Sequence, residues 1–246
     1  ERLSNLKFNP LLSSSHKEFS LCNDLDPDSH FYPQSFDCEY YTEGSFNKYL
    51  SESQSYLNLN NNDNTLSLLH LSIRSISKKF EEFCNFLGNI AVDFSAIALT
   101  ETWLNDSSHS FDIPGFNFIH KHRADKIGGG VGLYLSEYLD FKIRADFVLS
   151  DSYAESLFVE INRQKKTNIV IGVRYRPPTD DFISEMDKLI TIVSGENKVI
   201  FLLGDWNLNL MNHFHHRITG EFLELLYSRM FFPLITRPTR ITAHKA

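Results

Sequence analysis

The sequence predicts a layered α/β sandwich, in which two packed β-sheets are flanked by helices. Three observations support this fold class. Short apolar, β-branched runs alternate with segments of helical period from Thr65 onward. The predicted strands outnumber the predicted helices. Some strand connections contain a helix whereas others are as short as hairpins, which favours two mixed sheets over a single doubly wound sheet.

The N-terminal quarter of the chain lacks this pattern. Residues 1–62 are rich in Ser, Asn, Asp and Tyr, show no sustained hydrophobic period, and are expected to form a mostly irregular leader or linker. The net charge is −7, and residues 1–64 alone carry ten acidic and four basic side chains. The domain predicted over residues 63–246 is therefore nearly neutral, and its charge does not exclude a nucleic-acid partner.

The first half of this domain is predicted to begin with a strand over residues 65–71 and an amphipathic helix. The apolar side chains of that helix recur at i, i+3, i+4 and i+7, namely Phe80, Phe83, Cys84 and Leu87. Residues 94–100 form a buried strand that ends at Glu101. The three glycines at 128–130 indicate a tight turn with positive φ angles, which leads into a strand over 131–135.

The second half is predicted to continue with strands over residues 141–149, 157–162 and 168–175. Their close spacing indicates an antiparallel meander. The next helix ends before Gly195, and its apolar face consists of Phe182, Met186, Leu189, Ile190 and Val193. A strand over 199–203 then ends at Gly204-Asp205. A third helix carries Phe222, Leu225 and Leu226.

Several classes of protein are excluded by what the sequence lacks. It contains no run of eighteen apolar residues and no secretory signal in its first thirty positions, so we expect no membrane partner and an intracellular location, in the nucleus or cytoplasm. Its three cysteines lie far apart, which argues against a zinc site or a disulfide framework. Because the first residue is Glu1 rather than Met, the chain is expected to be a fragment of a longer polypeptide.

Two carboxylates occupy the same predicted position in the fold. Glu101 and Asp205 each come directly after a buried strand, and parallel strands would bring both to one edge of the sheets. One isolated acid there would more simply begin a solvated loop. The neighbouring residues favour a catalytic role for the two acids, because Asn207 adds an amide, and Tyr175 and Arg176 add a phenol and a guanidinium at a third strand end.

The types of side chain in this set predict the metal. Oxygen ligands with few histidines favour a magnesium-like ion, which takes one or two carboxylates and fills its other positions with water and phosphate. We therefore expect Mg²⁺, with Mn²⁺ as a possible substitute. A metal, a carboxylate that holds water, and donors for a phosphate oxygen are the parts of metal-assisted phosphodiester hydrolysis.

Six short motifs follow one another between residues 65 and 246. They are Leu-His-Leu-Ser-Ile-Arg-Ser at 69–75, Thr-Glu-Thr-Trp-Leu at 100–104, Gly-Gly-Gly-Val at 128–131, Tyr-Arg-Pro-Pro at 175–178, Gly-Asp-Trp-Asn at 204–207 and Pro-Thr-Arg at 238–240. In this order the motifs resemble the endonuclease/exonuclease/phosphatase superfamily. Within it they are most similar to the apurinic-endonuclease-like domain of non-LTR (LINE-type) retrotransposons.

The resemblance implies a four-layered α/β sandwich and a magnesium-dependent enzyme that nicks DNA. The nick leaves a 3′-hydroxyl that primes reverse transcription, so the expected partners are DNA and the rest of a polyprotein with a reverse transcriptase. By the same resemblance Glu101 binds the metal, Asp205 activates or orients the attacking water, Asn207 contacts the scissile phosphate and Tyr175 stabilises developing charge. Supporting or substrate-binding roles fall to Ser72, Arg176, Thr239 and Arg240.

Two departures from the family pattern leave alternatives open. Ser72 stands where the family usually has an asparagine, and a hydroxyl has a shorter reach than an amide and lacks its paired donors. The chain ends at Ala246, where the family continues toward an aspartate and a closing aspartate-histidine pair, so we expect the last strands to be missing. The alternatives are a catalytically inactive remnant that binds nucleic acid or protein, and a phosphatase of the same superfamily acting on a small substrate.

Overall fold

The fold is that of a computed structural model, which describes residues 40–57, 66–106, 110–122, 128–149, 154–164, 166–176, 182–235 and 239. These residues belong to two compact units. One unit, Asn64–Leu208, holds both β-sheets, and the other combines the parts of the chain before Asn64 and after Leu208. The boundary predicted between residues 62 and 63 falls outside the described residues, so the division into a leader and a domain stays a prediction.

Helices and strands alternate through the described residues. The α-helices are α1 (Glu43–Leu57), α2 (Ile76–Asn89), α3 (Phe182–Ser194) and α4 (Arg217–Ser228). The strands are β1 (Leu68–Ser72), β2 (Ala96–Thr100), β3 (Phe116–Lys121), β4 (Val131–Ser136), β5 (Phe141–Ile143), β6 (Glu155–Ile161), β7 (Ile169–Tyr175) and β8 (Val199–Asp205). No helix within these ranges combines the length and the apolarity needed to cross a bilayer.

The eight strands form two mixed sheets of four strands each. The first has the order β1-β2-β4-β3 and the second the order β5-β6-β7-β8. In the first sheet β1 and β2 run parallel, with α2 as their crossover, and in the second β7 and β8 run parallel across α3. All other neighbouring strands are antiparallel. The predicted mixture of helical crossovers and hairpins is confirmed.

The core of the sheet unit lies between the two sheets. Successive side chains of a strand point to opposite faces, so every second residue of each strand faces the other sheet. The buried residues of this layer are Ala96, Ala98, Val131, Leu133, Leu135, Leu157, Val159, Ile161, Ile169, Ile171 and Val173. Their number and apolarity make this layer the main stabilising contact of the unit.

A helix covers the outer face of each sheet. The ring of Phe83 on α2 lies 6.0 Å from that of Tyr134 on β4, and Glu185 on α3 accepts a hydrogen bond of 2.5 Å from Arg174 on β7. The predicted layered sandwich, with the order helix, sheet, sheet and helix, is therefore confirmed. The predicted apolar face of α3 is confirmed residue by residue, since all five of its members are buried.

The stripe predicted for α2 is only partly right. Phe83 is buried as expected, whereas Phe80, Cys84 and Leu87 are half-buried, and the other buried members are Ile76 and Phe86. The buried face is therefore rotated toward Phe86 relative to the prediction.

Two elements were missed, and a third is shorter than predicted. The strand β3 and the helix α1 have no counterpart in the predicted elements. Residues 141–149 form a strand only over Phe141–Ile143 and then a 3₁₀ turn over Ala145–Phe147. Between them the Arg144 N–H still donates to the Phe158 carbonyl at 2.9 Å, and its buried guanidinium binds Glu160 and Glu196. The antiparallel meander predicted for β5, β6 and β7 is confirmed, since these three strands are consecutive antiparallel neighbours in the second sheet.

The second unit is helical in its described part. Helix α1 lies inside the segment that was expected to be mostly irregular, and residues 1–39 of that segment lie outside the described residues. Its start is a reciprocal cap: the Thr42 N–H donates to Ser45 Oγ at 2.8 Å, and the Ser45 N–H donates to Thr42 Oγ1 at 3.2 Å. This cap, with buried Phe46 and Leu50, explains a helix in such a polar sequence.

Candidate active site

In each sheet two parallel strands end side by side. Ser72 and Thr100 are paired in register at the ends of β1 and β2, and Tyr175 and Asp205 are paired at the ends of β7 and β8. All four side chains face the opposite sheet, because they follow the inward-facing residues of their strands at a spacing of two. Glu155, at the start of β6, continues the second row beside Tyr175.

The strand ends of both sheets meet at one end of the sandwich. The strands β1 and β2 both lie against β8 across the core. On β1, His70 lies two residues before Ser72, and burial lowers its pKa to about 4 while the negative charge of Asp205 acts in the opposite direction. The charge of Asp205 can act on the pKa of His70 in this way only if the two side chains lie close together. We call this end, formed by Ser72, Thr100, Tyr175 and Asp205, the rim.

Glu101 directly follows the rim residue Thr100, on a loop whose backbone is fixed by hydrogen bonds on both sides. Its N-terminal side is the end of β2, and its carbonyl accepts a hydrogen bond of 2.8 Å from the Ser75 N–H in the loop after β1. On the other side, the Trp103 N–H donates to the Gly129 carbonyl at 3.0 Å. The Glu101 side chain is 17% exposed, and its carboxylate lies 3.5 Å from Nε of the exposed Arg74. The loop therefore holds a partly exposed carboxylate on a rigid backbone.

The glycine turn at residues 128–130 packs against this loop. Gly128, Gly129 and Gly130 have φ angles of 107°, 68° and 81°, so the prediction of a turn with positive φ is confirmed. A Cβ on Gly130 would lie 2.5 Å from Oγ1 of the buried Thr102. A side chain at that position would displace the residue next to Glu101.

The loop after β8 orients Asp205. The Asn207 N–H donates to Asp205 Oδ1 at 3.0 Å, which closes a local turn and sets the direction of the carboxylate. The Asn207 side-chain amide donates to the Arg176 carbonyl at 2.7 Å and so ties this loop to the one after β7. An amide nitrogen carries two protons, so one N–H of Asn207 is used here and the second is not committed by this bond.

Arg176 points into the protein. The residue is 5% exposed, its guanidinium donates to the Trp206 carbonyl at 3.1 Å, and its Cζ lies 4.5 Å from the centroid of the Phe182 ring. This placement differs from the expectation of a guanidinium offered at the strand end. The buried contacts favour a role in holding the loops after β7 and β8 together.

The remaining predicted residues lie at the margin of the site or outside it. Ser72 is exposed at the end of β1. Thr239 is exposed and belongs to the second unit, and Arg240 lies outside the described residues. The structure thus brings Glu101, Tyr175, Asp205, Asn207 and Ser72 to one end of the sheet unit.

Two polar residues of the rim received no role from the sequence. Nε2 of His70 lies 3.2 Å from Thr100 Oγ1, directly before Glu101 in the chain. Glu155 is 6% exposed, in register with Tyr175. A signal for His70 was present, since this polar residue stands between apolar Leu69 and Leu71 on a predicted strand. The position of Glu155 depends on strand register, which the sequence does not display.

Backbone strain is concentrated in the loops of the rim. Seven non-glycine residues in the described part of the chain have positive φ angles. Five of them lie in the loops after β1, β2 and β8, namely Arg74, Ser75, Glu101, Trp103 and Asn207. Each such residue costs about 1–3 kcal/mol, and strain of this kind clusters where a side chain must be held for function.

The donor set at the rim fits a magnesium-like ion. Within the described ranges, no three His, Cys, Asp or Glu side chains gather closely enough to hold an ion by themselves. Mg²⁺ does not require such a group, because it uses one or two carboxylates and takes its remaining ligands from water and substrate phosphate. Glu101, directly after β2, and Asp205, at the end of β8, are two carboxylates of this kind at strand ends.

Comparison with known proteins gives one family and several structures. A family model described as Endonuclease/Exonuclease/phosphatase family matches residues 56–244. No curated protein sequence matches the chain.

Three solved structures are similar to it at low sequence identity. The endonuclease domain of TRAS1, a telomere-specific non-LTR retrotransposon, is 11% identical with a TM-score of 0.49, over 67% of this chain and 71% of that one. The D. rerio TDP2 in complex with a single-strand DNA product is 12% identical with a TM-score of 0.41, over 70% and 67%. The human Nocturnin catalytic domain is 10% identical with a TM-score of 0.47, over 71% and 77%.

Proposed function

Since the chain belongs to the endonuclease/exonuclease/phosphatase family, whose fold supports nuclease and phosphodiesterase hydrolysis, we propose that it is a metal-dependent DNA-nicking endonuclease domain of a non-LTR retrotransposon polyprotein. The nick would supply the 3′-hydroxyl from which a reverse transcriptase in the same polyprotein starts synthesis. The observation that carries the proposal is that Glu101 directly follows β2 and Asp205 ends β8, and that these two strands lie against each other across the core. The retrotransposon assignment rests on the six sequence motifs.

Glu101 is the residue proposed to hold the ion. Members of this family generally depend on a divalent metal, and Mg²⁺ at the rim would supply Lewis-acid stabilisation of charge on the phosphate. The Glu101 carboxylate is partly exposed on a backbone fixed by hydrogen bonds from both neighbouring loops. Arg74 contacts it only at 3.5 Å and is itself mostly exposed, so this weak pair can give way to an ion.

Asp205 is the residue proposed to orient the attacking water and accept its proton. The Asn207 N–H fixes one carboxylate oxygen, so the direction of the other is set before substrate arrives. The second N–H of the Asn207 amide is the proposed donor to a phosphate oxygen. The phenol of Tyr175 is adjacent to Asp205 in register, where it would donate to charge that develops on the phosphate.

A second candidate function is a remnant of this fold that binds nucleic acid without cleaving it. Two observations favour it. Ser72 replaces the asparagine usual in the family and is exposed at the strand end, and the Arg74 guanidinium already lies next to Glu101. In such a remnant Arg74 would neutralise the carboxylate in place of a metal ion.

A nicking assay on supercoiled plasmid with Mg²⁺ separates these functions. We expect nicking by the wild type and a decrease of about 10²–10⁴-fold in Asp205→Asn, the range by which a positioned proton acceptor accelerates a reaction. The matched control is Asp93→Asn, an exposed acid away from the rim, which should nick like the wild type. Equal nicking by the wild type and Asp205→Asn would refute the site.

The same assay tests the remnant. If the wild type binds DNA without nicking it and Ser72→Asn, alone or with Arg74→Gln, restores nicking, then the replaced residues inactivate the site. Release of phosphate from small esters without any action on DNA would instead identify a small-substrate phosphatase.

A further inference from the structure

A row of rings runs along the outer face of the edge strand β3 toward the rim. The ring of Phe118 stacks on that of buried Tyr134, with centroids 4.1 Å apart and planes inclined by 18°. His120 follows at 5.4 Å from Phe118 with an angle of 31°, and His122 at 5.8 Å from His120 with an angle of 34°. His120 is exposed and His122 is half-buried. The row thus begins with the packed ring of Phe118 and ends with the more accessible rings of His120 and His122.

The exposed end of this row lies close to the candidate site in the sheet. Lys121, between the two histidines, pairs with Val131 on β4, and Val131 pairs with Thr100 on β2. His122 is therefore two strands away from the residue that precedes Glu101. The spacing between neighbouring strands is about 4.8 Å, so the distance across two strands is about 10 Å, which equals about three nucleotide steps along one strand of DNA.

A cleft of about 400 Å³ opens between the rings and the loop that continues from Glu101. Leu104 and Asn105 form part of one wall, and Phe118, His120 and His122 form the other. Nε2 of His122 lies 3.0 Å from Asp106 Oδ1, which ties the loop to the end of β3. The cleft has the size of small-ligand sites, which begin at about 300 Å³.

We propose that this cleft binds an unpaired nucleobase of the DNA substrate, stacked on the imidazole of His120. The inference rests on the proposed function and adds to it a subsite beside the cleaved linkage. Every base has a π-face, so stacking on a ring tolerates any sequence. The Ser110 hydroxyl donates to Asp112 Oδ2 at 2.5 Å, and its oxygen is an acceptor for the polar edge of the base on the same wall of the cleft.

The charges of the cleft favour a base over the other ligands of comparable size. Asp106 and Asp112 lie on its walls, and carboxylates repel a phosphate group but accept hydrogen bonds from the amino groups of bases. The phosphodiester backbone would then follow the rim while one base turns into the cleft.

A double-mutant cycle between the protein and the DNA tests the proposal. The ligand is a fluorescent single-stranded pentanucleotide, compared with the same oligonucleotide that lacks its central base, and affinity is measured by anisotropy in EDTA. We expect His120→Ala to weaken binding of the intact oligonucleotide by about fivefold or more, which corresponds to the lower end of base–ring stacking, about 1 kcal/mol. Binding of the oligonucleotide without the base should not change in His120→Ala.

Two further variants make the result specific. His120→Phe keeps a ring and should bind the intact oligonucleotide within about twofold of the wild type. Tyr138→Ala is the matched control, because Tyr138 is 97% exposed in the turn after β4, at the opposite end of that strand from Val131. Since His120 is exposed, all variants should retain the wild-type melting temperature. An equal loss for both oligonucleotides in His120→Ala, or no loss for either, would overturn the proposal.

The outcome is independent of cleavage. Binding in EDTA requires no metal, and Asp205→Asn should show the same cycle as the wild type. If His120→Ala weakens binding of the intact oligonucleotide alone and the protein does not nick plasmid, the base site is supported and the endonuclease function is refuted. If nicking depends on Asp205 but His120→Ala affects both oligonucleotides equally or neither, the base site alone is refuted.

Discussion

The acid stability of the sheet unit should depend on one buried carboxylate, and Glu160→Gln is the perturbation that tests it. Glu160 on β6 is 1% exposed. It accepts hydrogen bonds of 2.6 Å from Arg144 and 2.7 Å from Asn168, and Lys198 lies 2.9 Å away. Burial by itself raises the pKa of Glu160, but these donors outweigh burial and hold the pKa at about 2.

The size of the effect follows from linkage between protonation and folding. The interval between the ordinary pKa of 4.5 and the folded value of about 2 corresponds to about 3 kcal/mol, at about 1.4 kcal/mol per pH unit. Because the folded pKa is the lower one, the unfolded chain binds the proton first as the pH falls. The stabilisation is therefore complete above about pH 4.5 and is lost as the pH falls toward 2.

Urea unfolding of the wild type and of Glu160→Gln at pH 7, 5 and 3 measures this contribution. We expect the variant to be less stable by about 3 kcal/mol at pH 7, and the difference to shrink by pH 3. Glu196, whose pKa is also about 2, shares Arg144 and Lys198 with Glu160, so the measured difference includes the change in the titration of Glu196. Glu137→Gln, in an exposed turn, should change the unfolding free energy by less than about 0.5 kcal/mol. Parallel pH curves for the wild type and Glu160→Gln would refute the reasoning.

Three further predictions concern the rim. Gly204→Ala should lower the unfolding free energy by about 1–3 kcal/mol in urea titrations, because its Cβ would lie 2.0 Å from the Arg174 carbonyl oxygen, a backbone atom that cannot rotate away. Gly44→Ala, with no atom within 4 Å of its Cβ, is the control, and equal stability of both variants would contradict the prediction. His70 should titrate near pH 4 in an NMR experiment on its ring protons, so that its contribution to stability is complete above about pH 6.5 and is lost between 6.5 and 4; a midpoint near 6.5 would show that burial does not act as described. Arg176→Met should accelerate hydrogen exchange of the Asn207 amide by loosening the two loops that Arg176 joins, whereas exposed Arg217→Met should not, and unchanged exchange in Arg176→Met would argue against its role in holding them.

Elements with a strong local pattern could be predicted from the sequence. The face of α3 is one example, because five apolar residues at helical spacing can be buried together only on one side of a helix. The strand that ends at Asp205 is another, since its apolar run stops where the chain leaves the core. In both cases the information lies within a dozen consecutive residues.

Elements that depend on distant contacts could not be predicted in this way. The end of β5 is held by distant contacts, because buried Arg144, directly after it, bonds Glu160 and Glu196, which are sixteen and fifty-two residues away. The missed strand β3 is an edge strand with a half-exposed face, where the apolar signal is weak. Helix α1 has a polar sequence, and its start is marked by a cap between Thr42 and Ser45 instead of an apolar stripe.

The candidate site divides in the same manner. Glu101, Asp205 and Asn207 could be named from strand ends and short motifs, because a residue that follows a buried strand must emerge at its end. Their catalytic roles stay a proposal. The contacts of Arg176 could not be derived from its position, since whether a guanidinium faces solvent or a Phe182 ring depends on α3, which follows later in the chain.

The sequence by itself determined which residues form strands and helices with strong periods, and which polar residues stand at the ends of those strands, because hydrophobic period and strand termination are local properties. Only the tertiary structure decided that the ends of β1 and β2 meet those of β7 and β8, that His70 lies near Asp205, and that the rings of β3 line a cleft beside Glu101. These facts depend on strand order, register and the packing of one sheet on the other. Such relations are fixed by the burial of apolar area summed over the whole domain, which no short stretch of sequence specifies.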